Sequence, residues 1–78
     1  MTMHTVLERE TAHLPQTDRD LIARRLVVAG ELVRWFPSAP ERALTDKLQS
    51  FGDCPRWVCT LIARTALEAT RVAQPVAA

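Results

Sequence analysis

Residues 18–36, DRDLIARRLVVAGELVRWF, constrain the fold of this chain more than any other stretch. Ile22, Leu26, Ala29, Val33 and Phe36 recur at intervals of four, three, four and three. That is the repeat of one face of an α-helix. Leu21, Val28, Leu32 and Trp35 form a second row beside it. Together the rows make an apolar surface wider than the stripe of about 100° on an ordinary surface helix. Such a helix needs cover on more than one side. The expectation is an all-α fold, a small bundle of about four helices with a central apolar helix over 18–36. Part of that helix is expected to meet another chain.

The rest of the sequence fits a single helical domain over residues 1–78, with frayed ends at about 1–4 and 75–78. A domain of this size buries only about 60% of the surface of its unfolded chain, so its core is thin. Oligomerisation is one common remedy. An apolar content of 47% is too high for a disordered chain. Ten Lys plus Arg against nine Asp plus Glu leave a net charge of +1. That balance carries no general electrostatic footprint for nucleic acid. The apolar runs are too short to span a membrane, and the first residues show no secretory pattern. The expected compartment is the cytoplasm, where the two cysteines would remain reduced thiols.

Helix boundaries follow from capping signals. Thr5-Val6-Leu7-Glu8 matches a capping box, which predicts a short helix from Val6 to His13 ended by Pro15. Thr17 is the expected cap of the long helix, with Asp18 and Asp20 favoured by the positive end of its dipole. Gly30, in mid-helix, is read as a point of close backbone approach, and Pro37 as the stop. Ser38-Ala39-Pro40-Glu41 is a second capping box. It opens a third helix that buries Leu44, Leu48 and Phe51 and turns Glu41, Arg42, Thr45, Asp46 and Gln49 to water. Gly52 suits the left-handed position after its end. Asp53 is the expected cap of a fourth helix, over 54–74, ended by Pro75. Its rows are Val58, Ile62, Thr65, Ala69 and Val72, and Cys59, Ala63, Ala66, Thr70 and Ala73.

Several chemistries are disfavoured. With only two glycines there is no phosphate-binding loop, and there is no H-E-x-x-H. The carboxylates are scattered among basic residues at helical spacing, as Glu31 is with Arg34. No catalytic residues and no cofactor are assigned. His4, His13, Cys54 and Cys59 have no common metal-site spacing, so no metal is expected. In one continuous helix Cys54 and Cys59 would occupy different faces. Cys54, beside a helix N-terminus and two residues from Arg56, has two features that lower a thiol pKa, and this makes a redox-responsive thiol a minor reading.

Two binding readings stand out. Helices 39–51 and 54–74, joined by a turn at Gly52, have the order of a helix-turn-helix. The second would present Arg56, Thr60, Arg64 and Arg71 to DNA, although Asp53 and Glu68 flank that face. The preferred reading rests on the aromatics. Trp35 and Trp57 sit at helix ends with Arg34 and Arg56 beside them, and Trp and Arg are enriched at binding hot spots. The expectation is a small non-catalytic protein that binds a protein partner, first of all itself as a homodimer, as an adaptor, regulator or inhibitor of bacterial or phage type. Leu21, Val28, Leu32, Trp35 and Trp57 are the candidate partner-binding residues, and DNA binding is the alternative.

Overall fold

The structure is a computed structural model that describes the backbone of residues 2–73 and the side chains of residues 2–71. Among these residues the chain forms four α-helices and no strand: α1 (Met3–Thr11), α2 (Gln16–Trp35), α3 (Glu41–Ser50) and α4 (Arg56–Ala73). The expected frayed tail 75–78, the stop at Pro75 and residue 74 of the fourth helix lie outside the described residues.

The expected caps are not the ones used. Helix α1 starts at Met3, because the Thr2 hydroxyl accepts from the Thr5 amide at 3.2 Å. Thr5 therefore lies inside the helix, and residues 3 and 4 are helical where fraying was expected. Helices α2, α3 and α4 each begin on the residue after a proline. Pro15 accepts from the amides of Asp18 and Arg19, Pro40 from Leu44, and Pro55 from Val58 and Cys59. A proline in this position loses nothing by lacking an N–H, since the first amides of a helix have no intrahelical partner. Thr17 thus sits within the first turn. No side chain caps α2 or α3, so the box at Ser38 does not form. Between α3 and α4, Gly52 takes the expected left-handed conformation at φ 78°, and Asp53 follows it at φ 61° rather than capping α4. Asp tolerates this region better than most side chains.

Helix α4 packs against α1, α2 and α3, while α2 packs against α4 and α3. Leu7, Ile22, Ala29, Val33, Leu44, Leu48, Val58, Cys59, Ile62, Ala63 and Ala66 form one buried cluster. The small side chains at Cys59, Ala63 and Ala66 let neighbouring helices approach closely. Glu41, at the start of α3, pairs with Arg64, and Asp46 further along pairs with Arg56 at the start of α4. These contacts set the two helices antiparallel. Helix α1 is tied to the other end of α4. The Met3 amide donates to the Glu68 carboxylate at 3.1 and 3.2 Å, and the Thr65 hydroxyl lies 3.3 Å from the Met3 carbonyl.

Three side chains depart from the face assigned to them. Thr45 is buried, and its hydroxyl donates to the Glu41 carbonyl at 2.9 Å, which makes burial of this polar group tolerable. Phe36 and Phe51 are exposed, because each is the residue just past its helix. At Phe36 the backbone has left the helix (φ −131°, ψ 67°), so the row it belonged to no longer points inward. Gly30 makes no close approach to a neighbouring element: beyond its own helix backbone, a Cβ placed there would have no atom within 4 Å.

Candidate protein-interaction surface

The core of this protein contains no aromatic side chain. Its whole aromatic complement is two Trp and two Phe. Trp35 is 75% exposed, Phe36 62%, Trp57 46% and Phe51 40%. Aromatic side chains carry large apolar areas and ordinarily dominate cores and interfaces. Here the interior is built from aliphatic and small residues, and the aromatics are on the outside. Val27, 67% exposed in mid-α2, joins them.

Helix geometry explains the placement on α2. Ile22, Ala29 and Val33 face the core and are buried. Leu21, Val28 and Leu32 lie on the flank of that face and are half-buried, with Val28 and Leu32 packed against the core. The monomer thus partly covers these three candidates. Trp35 continues the same flank past the region that α3 and α4 cover, and stays open. On the far side, Asp20, Arg24, Val27, Glu31 and Arg34 step by four, three, four and three along the outer line of the helix, and all are exposed. Asp20 accepts from the Gln16 side-chain amide at 2.7 Å, and Arg34 lies 3.6 Å from Glu31. Arg24 has no ion-pair partner among the described residues.

Trp57 opens α4 and stands beside a shallow hollow with Leu14, Leu21 and Pro55 on its walls. Its other side borders a groove against α1, where Val6 and Leu61 lie. Leu21 and Trp57 are therefore brought together, while Trp35 lies at the other end of α2. Phe51 has two cations over its ring, with the Arg25 guanidinium 5.1 Å and the Lys47 ammonium 5.7 Å from its centre. The same guanidinium reaches the carbonyls of Phe51 and Gly52 at 3.4 Å, closing the end of α3.

Val27, Phe36 and Phe51 belong to this surface and were not among the sequence-derived candidates. Val27 had a signal. Leu26-Val27-Val28-Ala29 is an unbroken apolar run, and four successive helical residues cannot all face one core. The Phe residues had none, since their exposure follows from where the helices stop.

The residues of the DNA reading are placed differently. Arg56 donates to Asp46 and to the Gln49 side chain, each at 2.8 Å, and Arg64 pairs with Glu41. The Thr60 hydroxyl donates to the Arg56 carbonyl at 3.0 Å. Arg71 is exposed. Two of the three arginines are thus engaged by α3, and a phosphate approaching them would meet the α3 carboxylates.

The surroundings of Cys54 argue against the thiol reading. Cys54 lies before α4 and is buried, and the Cys59 thiol reaches its carbonyl at 3.6 Å. Burial pushes the Cys54 thiol up to about 12, reinforced by its hydrogen bond and charge interaction with Cys59, and Arg25 offsets this only in part. Arg56, expected to favour the thiolate, is turned toward Asp46 and Gln49 instead. A thiol held this firmly protonated is a poor nucleophile. The two sulfurs also face one another, because Cys54 is not part of the helix. No cluster of three or more His, Cys, Asp or Glu side chains occurs among the described residues, and no helix among them is long and apolar enough to cross a membrane. No known family, curated protein or solved structure matches this chain.

Proposed function

We propose that this chain is a non-catalytic helical protein that works by binding protein, and that its first partner is a second copy of itself. The observation that carries this reading is the exposure of all the aromatic side chains outside an aliphatic core. Extended exposed apolar surface marks an interaction site, whereas single exposed side chains need no explanation, and here Val27, Trp35, Phe36, Phe51 and Trp57 are all exposed. Trp35, Val27, Leu21 and Trp57 lie along α2 and at the adjoining end of α4. The surface available is sufficient. A stable interface takes about 800 Å² from each partner, a modest part of the 5400 Å² this chain exposes.

The test is solution mass by light scattering across a dilution series, for the wild type, Trp35→Ala and Val27→Asp. Both side chains are exposed, so the variants keep the fold. The expected result is a wild-type dimer that both substitutions shift toward monomer. A wild type that remains monomeric up to hundreds of micromolar, a concentration at which even weak specific dimers of about 10 μM are populated, would refute self-association.

A further inference from the structure

The outer line of α2 reads Asp20, Arg24, Val27, Glu31, Arg34, with Val28 and Trp35 alongside. It is an acid and a base, then an apolar centre, then an acid and a base. This order is complementary to itself when reversed. Resting on the self-association reading, we infer that two copies pair through this line of α2, antiparallel, about a twofold axis passing beside Val27 and Val28.

In an antiparallel pair about that axis, equal rise along both helices sets each residue level with one at the same distance on the other side of the centre. Arg24 then stands level with Glu31 of the second copy, and Glu31 with its Arg24. Asp20 stands level with Arg34 and Trp35, and Leu21 with Trp35 to within one residue. Val27 and Val28 meet their counterparts at the axis. The twofold makes every contact occur twice. Arg24, which has no ion-pair partner among the described residues, acquires one. Leu21 gains apolar cover from the Trp35 ring of the second copy. A parallel pair would instead set Arg24 against Arg24 and Glu31 against Glu31. Like charges facing each other in this way select against the parallel arrangement.

The experiment is a charge-exchange series, with the dimer dissociation constant measured by sedimentation equilibrium for the wild type, Arg24→Glu, Glu31→Arg and the double variant R24E/E31R. All these positions are exposed, and circular dichroism checks the fold. Each single change sets two pairs of like charges across the interface. It is expected to weaken association by about tenfold, on the scale of exposed ion pairs counted twice. The double variant restores opposite charges and is expected to return to within about threefold of wild type. A dimer whose affinity ignores both single changes, or a double variant no tighter than the singles, would overturn this register while leaving self-association through another face standing. A wild type that is monomeric throughout would overturn both. As an independent readout, Val27→Cys is expected to form a disulfide-linked dimer with copper phenanthroline as oxidant. Failure to cross-link in a sample that sediments as a dimer would count against the axis position.

Discussion

Cys54 shows how much the surroundings of one residue decide. From its neighbours in sequence it is a thiol at a helix start beside an arginine. In the fold, burial and the facing Cys59 thiol raise its pKa from an ordinary 9.0 to about 12. The consequence for stability has a definite sign. Below about pH 9 the thiol is protonated in both folded and unfolded chains, and the contribution is fully present. As pH rises from there toward 12, the unfolded chain releases its proton while the folded chain holds it, so folding becomes less favourable. The urea midpoint is expected to be lower at pH 10 than at pH 7.5, and the drop is expected to be smaller in Cys54→Ala. An equal drop in the variant would assign the effect to other groups. At neutral pH the native protein is expected to react with iodoacetamide far more slowly than it does in urea. Rapid alkylation of the folded protein would contradict the buried, protonated thiol.

Among the elements, α1 is the one with least of its own to hold it. Only Leu7 and Thr11 are buried along its length. Its start is anchored by Glu68, whose carboxylate receives the Met3 amide at the positive end of the α1 dipole. Glu68→Ala removes that acceptor and is expected to cost about 0.5–2 kcal/mol, the range for a lost helix cap. Hydrogen exchange is the sensitive measurement: α1 amides are expected to lose protection well before those of α4. Uniform loss across the helices would mean that α1 does not open separately. Helix interiors and helix starts differed in how far the sequence revealed them. The periodicity of 18–36 and 54–74 was legible because buried rows in long helices repeat many times. The starts were not, because Ser, Thr, Asp and Pro near a helix start are compatible with several registers. Proline then supplied the acceptor carbonyl at Pro15, Pro40 and Pro55 without any side-chain cap. Their helix-end positions made Trp35 and Trp57 candidates for a partner surface without showing how far each is covered, and Val27 was missed, since an apolar row wider than one face does not say which of its edges the fold leaves open.

The whole molecule is a slab, with Cα extents of 44 × 27 × 16 Å. A body this thin exposes one side of nearly every helix, and its fully buried core of aliphatic and small residues contains none of the large aromatic side chains. A chain of this size has a marginal core when alone. Association through α2 would therefore stabilise the fold as well as bury Trp35. Mass action makes that testable. If the folded chain dimerises and the unfolded chain does not, the thermal midpoint rises with protein concentration. The wild-type midpoint is expected to increase over a hundredfold concentration range. Trp35→Ala is expected to flatten the dependence without lowering the midpoint at the dilute end, because a side chain this exposed contributes little to the monomer. The two halves of that result separate the possible roles of Trp35. A fall at every concentration would make it part of the monomer's own packing. A midpoint independent of concentration in the wild type would mean that the four helices hold the fold by themselves, and the exposed aromatic surface would then belong to a different protein partner.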